Sequence, residues 1–213
     1  GNMVYNETLK FEIPSDWKDG TLENLGKIVG GSTPATKTTE NFAENGFPWI
    51  TPNDLSDNQG NKFISRGAQN VSELGIKDAS LKKYPAGTVL LSSRAPIGYM
   101  AIARNEITTN QGFKSFVCTK GYSTEFVYFA VKNSLKAIIQ YSSGSTFKEI
   151  SGTVLKTVKV VLPEQSIVDA YTRRVADIFS RQEILEEENH ALENLRDWLL
   201  PMLMNGQVTV GSK

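Results

Sequence analysis

Between Gly26 and Leu162 the chain is interrupted every few residues by glycine, proline, asparagine or serine, in the runs GGSTP, ENGFPW, TPND, YPAGT, APIG and YSSGS. The segments left between them, TVLLSS, YMAIAR, SFVCT and KTVKVVL, are short and rich in β-branched and aromatic residues. This is the pattern of many short strands joined by tight turns. One stretch breaks the rhythm. From about Ser123 to Tyr141, the residues Phe126, Phe129, Ala130, Leu135, Ile138 and Ile139 recur near helical spacing behind a Ser/Thr start, and Gly144 follows as a stop. A helix is predicted there.

After Pro163 the punctuation vanishes until Pro201, and the run EQSIVDAYTRRVADIFSRQEILEEENHALENLRDWLL is helix-forming throughout. Val168, Tyr171, Val175, Ile178, Leu185, Leu192 and Leu199 fall on the a and d places of a heptad, with Gln182, Asn189 and Arg196 at three a places. Near the end a shifted register through Leu192, Leu195, Leu199 and Met202 fits better, which is the signature of a stutter. At about 1.5 Å per residue such a helix is a rod of roughly 54 Å, too long to bury its seam on a domain of this size. A helical partner is expected, and polar a places would fix the register of the pair. The pattern predicts an α+β fold: a mixed domain with many short strands over 1–163, a long coiled-coil helix over 164–204 and a tail over 205–213.

Composition changes this picture little. Hydrophobic residues at 39% and charged residues at 22% are ordinary for a globular protein, and no apolar run approaches a membrane span. The opening Gly1-Asn2-Met3 carries no signal-peptide pattern, so a cytoplasmic protein is expected. The net charge of zero conceals two surfaces: residues 1–163 carry 18 Lys and Arg against 14 Asp and Glu, whereas residues 164–213 carry 5 against 9. Cys118 and His190 are single, which excludes a disulfide framework and most zinc or histidine chemistry. Cys118, in the alternating run Phe116-Val117-Cys118, is expected in the core, and His190 in solvent.

Catalytic constellations are missing. Gly30-Gly31 of GGSTP lacks the later glycine and lysine of a phosphate-binding loop. Thr51-Pro52-Asn53-Asp54 reads as a turn, because it lacks the order used by amino-methyltransferases and no glycine-rich cofactor loop accompanies it. Asp54 and Glu149, even with Lys148 beside the latter, are too scattered for a metal nuclease.

The order of segments resembles the DNA-specificity subunit of type I restriction-modification systems. The resemblance runs from Trp17 and LGKIVGGSTPAT (25–36) through FPWITPNDL (47–55), YPAGTVLLSSRAPIGYMAI (84–102) and TTNQGFKSF (108–116). It ends with YSSGSTFKEISGTVLKTVKVVLPEQSIV (141–168) and the helix closing in LLPMLMNGQV. The family's Leu-Pro-Pro approach to the helix is shortened here to Leu162-Pro163-Glu164-Gln165, which leaves the helix start open. Such subunits carry two target recognition domains and two antiparallel helices, so this chain resembles a half subunit whose homodimer would rebuild the whole. The resemblance implies a non-catalytic subunit that reads double-stranded DNA and positions methyltransferase and restriction subunits. S-adenosylmethionine, ATP and magnesium would then belong to those partners, with no cofactor on this chain.

Because family members read different targets, residues in shared motifs are not the main base readers. Arg94, Asn110, Gln111 and Lys114 are expected to hold loops or to grip phosphate, which positions DNA without reading it. Base readers are expected on the loops between motifs, over 37–45, 57–69 and 142–148, with Lys37, Asn58, Gln59, Asn61, Lys62, Arg66, Gln69 and Lys148 as candidates. The helix residues expected to pair are Val168, Tyr171, Val175, Ile178, Leu185, Asn189, Leu192, Leu195 and Leu199. The competing reading is a coiled-coil adaptor whose globular domain binds protein and not DNA.

Overall fold

The computed structural model describes residues 2–142 and 149–208. It is a mixed α+β arrangement, and the predicted rhythm of short strands is present. The chain opens with β1 (Met3–Asn6), β2 (Phe11–Pro14), β3 (Lys18–Thr21), β4 (Lys27–Gly30) and β5 (Phe42–Ile50). Next come α1 (Pro52–Asp57), β6 (Phe63–Ile64), β7 (Gln69–Val71) and α2 (Glu73–Asp78). The central strands β8 (Val89–Leu91), β9 (Met100–Ala103), β10 (Thr108–Thr109) and β11 (Lys114–Val117) lead into α3 (Thr124–Ser142). After α4 (Gly152–Thr157) and β12 (Lys159–Leu162), the long helix α5 runs from Gln165 to Met204.

A five-stranded sheet in the order β4-β11-β8-β9-β6 forms the centre, with β6 parallel to β9 and the other neighbours antiparallel. A three-stranded sheet, β10-β5-β7, lies beside it in the chain's topology, and β3 pairs with β12. The Val89-Leu90-Leu91 run is fully buried, as a central strand covered on both faces requires. Leu90, Ile50, Ile107 and Phe113 gather in the main core, while Trp49, Val71 and Leu81 form a second cluster around the three-stranded sheet.

Three expectations change. TPND is not a turn but the start of α1: Thr51 caps the helix, its hydroxyl donating to the Asp54 carboxylate at 2.6 Å, and Pro52 occupies the first turn, where its missing N–H is no loss. KTVKVVL is split, its first two residues closing α4 and its last four forming β12. Cys118 is half-buried rather than enclosed, and burial pushes its thiol up to about 11, so it is a poor nucleophile.

The predicted helices form, but they bury different faces. On α3 the buried residues are Val127, Tyr128, Val131 and Ile138, whereas Phe126, Phe129 and Ala130 stay half-buried and Ile139 is exposed. On α5, Val168 is buried and Tyr171 and Val175 are half-buried, while Ile178, Leu185, Leu192 and Leu195 are exposed; the buried aromatic is Phe179, one place past the predicted d position. The helix ends in a Schellman turn, with Gly206 at φ +68°, its N–H donating to Leu203 and that of Gln207 to Met202. Two compact units divide within α5, Gly1–Val175 and Ala176–Lys213.

Gly31 sits where backbones meet. A Cβ there would lie 1.9 Å from the Thr109 carbonyl oxygen and 2.3 Å from that of Asn110. Gly31→Ala should therefore lower unfolding stability by about 3 kcal/mol or more in chemical denaturation, because backbone has to shift to admit the methyl. A change under about 0.5 kcal/mol would contradict this packing.

Candidate nucleic-acid interface

The polar side chains of the shared motifs converge on one another. Arg94, in the tight loop after β8, places Nε 3.0 Å from Glu149 Oε2, and Lys114 Nζ lies 3.9 Å from the other carboxylate oxygen. A backbone bridge between Arg94 and Glu149 runs alongside, and the Ile150 N–H donates to the Ser93 carbonyl. Burial lowers the Lys114 ammonium below the ordinary lysine value, Glu149 opposing that shift and Arg94 adding to it. Ser93 N–H in turn donates to Gly112, the Asn110 carboxamide oxygen accepts from Gly112 N–H at 2.8 Å, and the Gln111 carboxamide oxygen accepts from the Thr33 hydroxyl. The Trp49 indole donates to the Ser32 carbonyl at 3.1 Å. The RAPIG, TTNQG and GGSTP loops are thus stapled together by their own polar residues.

The loop residues proposed as readers lie elsewhere and are not equivalent. Lys37 is exposed in a turn. Asn58 caps the end of α1 and donates to the Phe63 carbonyl at 3.0 Å, Gln59 donates back to the Leu55 carbonyl at 2.7 Å, and Asn61 donates to the Asn58 carboxamide at 3.5 Å. Lys62 is half-buried, its ammonium 5.7 and 5.6 Å from the ring centres of Tyr128 and Phe129 on α3. Arg66 and Gln69 are exposed on one rim of a 630 Å³ cleft that also takes in Phe42, Glu44 and Asn70. Lys148 and the 142–148 loop lie outside the described side chains.

Three residues of this region carry weight that the sequence reading did not give them. Asp54 caps α1 with one carboxylate oxygen and with the other accepts from the Ala68 N–H at 2.7 Å, which pins the segment bearing Arg66 and Gln69. The T-x-x-D spacing was the available signal. Asn70 donates to the Glu44 carbonyl at 2.7 Å across the cleft, where β5 carries a bulge between Phe42 and Phe47. Glu149 is the shared partner of Arg94 and Lys114, and no local pattern announces it. Among the described residues no group of three or more His, Cys, Asp or Glu is placed to hold a metal ion, and no helix is long and apolar enough to cross a membrane.

The arrangement supports recognition chemistry: a fixed polar scaffold and, apart from it, a braced rim of Arg, Gln and Asn able to meet phosphates and base edges. Comparison with known proteins gives the family. Residues 14–194 match the family profile described as "Type I restriction modification DNA specificity domain". The MjaIX type I restriction enzyme specificity subunit of Methanocaldococcus jannaschii is 39% identical over 205 residues, covering 92% of this chain and 46% of the relative. The HindI specificity subunit of Haemophilus influenzae is 28% identical, covering 92% and 42%. The fold is shared with the crystal structure of the type I restriction-modification S subunit from M. genitalium, at a TM-score of 0.62 and 16% identity over 91% of this chain and 46% of that one. It is also shared with the HsdS subunit from Thermoanaerobacter tengcongensis, at 0.53 and 21% over 92% and 46%. The chain spans about half the length of these relatives. It belongs to the DNA-specificity family of type I restriction-modification systems, whose members named here are specificity subunits and not catalytic ones.

Proposed function

We propose that this chain works as a half-length specificity subunit that reads one half of a two-part double-stranded DNA site and pairs with a second copy to read the other. In this reading residues 1–163 are the target recognition domain and 164–204 the dimerising helix. The pair positions methyltransferase subunits that bind S-adenosylmethionine, and a restriction subunit that uses ATP and magnesium, in the cytoplasm. The observations that carry the reading are that residues 14–194 match the specificity family and that α5 leaves Ile178, Leu185 and Leu192 exposed on a seven-residue stripe. The separation of stapled motifs from an exposed, braced rim supports a division between residues that hold and residues that read.

Arg66 tests the DNA reading. Arg66→Glu in the full-length protein should weaken binding to a duplex about tenfold or more in fluorescence anisotropy, and reduce the magnitude of the log-log salt slope by about 1. Unchanged affinity in a folded variant would favour the protein-binding adaptor. Lys62 is a poorer choice, because its reversal also removes the contact with the α3 rings.

Arg94 is assigned to the scaffold. Arg94→Gln and Glu149→Gln should each cost about 0.5–1 kcal/mol, as a half-exposed pair does, with a double variant no worse than either single one. Additive losses, or a salt slope reduced by Arg94→Gln alone, would instead place Arg94 on phosphate.

The helix acts as a spacer. A heptad inserted at Asn189 adds roughly 10 Å of rod, so the unread gap between half-sites should lengthen by about 3 base pairs in a binding-site selection. An unchanged gap would reduce α5 to a dimerisation device.

A further inference from the structure

Phe42 and Phe47 of β5 both face Val71 of β7, so residues 43–46 bulge out of the ladder between them. The bulge is braced from both ends and from β7. Phe42 and Phe47 pack on the cluster of Trp49, Val71 and Leu81, and the Phe42 ring meets the Trp49 ring edge-on at 5.9 Å. The Asn70 carboxamide donates to the Glu44 carbonyl at 2.7 Å, and Gly46 lies so close to β7 that a Cβ would stand 2.3 Å from the Val71 carbonyl oxygen. A loop tied in this way presents its side chains in one geometry, which lowers the entropy cost of recognition.

Glu44 is exposed on this bulge and lines the 630 Å³ cleft together with Arg66, Gln69 and Asn70. Its carboxylate forms no ion pair among the described residues. On a surface that met only phosphates a carboxylate would be out of place, because it sets a like charge against each of them. It suits a surface that meets base edges, where it accepts hydrogen bonds and donates none. The donors of the major groove are the exocyclic amines, N4 of cytosine and N6 of adenine. Adenine N6 is flanked by acceptors on both sides, its own N7 and the thymine O4, whereas cytosine N4 has one on its guanine side only.

We propose that Glu44 is a specificity-determining residue that accepts a hydrogen bond from N4 of a cytosine in the major groove, held in position by the braced bulge. The proposal rests on the DNA reading above. Arg66 lines the same cleft, and an arginine donates to O6 and N7 of guanine, so a G·C pair presents groups that suit both side chains.

The test is selection from a randomised duplex pool with the full-length chain, alone and with the proposed methyltransferase subunit added, comparing wild type, Glu44→Ala and Glu44→Gln after each variant is shown to keep its unfolding transition. The wild-type motif should contain a cytosine position at which Glu44→Ala lowers the preference about tenfold, the other positions keeping theirs. Glu44→Gln should move that position towards adenine, which a carboxamide pairs with through N6 and N7. A motif left unchanged by both variants would overturn the proposal and leave DNA recognition standing. Loss of preference at an adenine, or at several positions together, would also overturn it. A wild-type chain that enriches no motif would overturn the DNA reading itself, and the proposal with it.

Discussion

The length of α5 and the placement of its apolar residues constrain everything else. Forty residues of helix carry a seven-residue apolar stripe that the described residues leave exposed at Ile178, Leu185 and Leu192. Leaving such a stripe in water forgoes the burial that favours helix association. In the proposed function a second helix covers it.

Within the strand-rich unit the physical division is between fixing and reading. The loops most tightly specified by sequence are consumed by their own contacts: Arg94 and Lys114 meet Glu149, Gln111 meets Thr33, and Gly31 admits the Thr109 backbone. Removing Arg94 or Glu149 leaves a half-exposed partner unmatched. Arg66 and Gln69 are exposed. The backbone between them is held by Asp54 at the Ala68 N–H, and their side chains line an open cleft.

Much of this was legible before the coordinates. Glycine and proline punctuation gave the short strands, and the uninterrupted run after Pro163 gave α5 within one residue of its start. The faces of the helices were less legible. Spacing marked Phe126, Phe129, Ile178 and Leu185 as apolar stripes, but spacing says only that a face is to be buried and not by which chain. Val127, Tyr128 and Phe179 took the intramolecular burial instead. TPND was misread because a proline in the first turn and a T-x-x-D cap start a helix as readily as they close a turn. Lys62 stacks over aromatic rings and Glu149 ties distant loops, contacts that span far too much sequence for any local pattern to reveal.

The most direct measurement is selection from a randomised duplex DNA pool, with the protein alone and with the proposed methyltransferase subunit added. A symmetric reader built from two copies predicts enrichment of a palindromic motif in two parts with a fixed gap. Failure to enrich any motif under either condition would contradict DNA recognition by this chain.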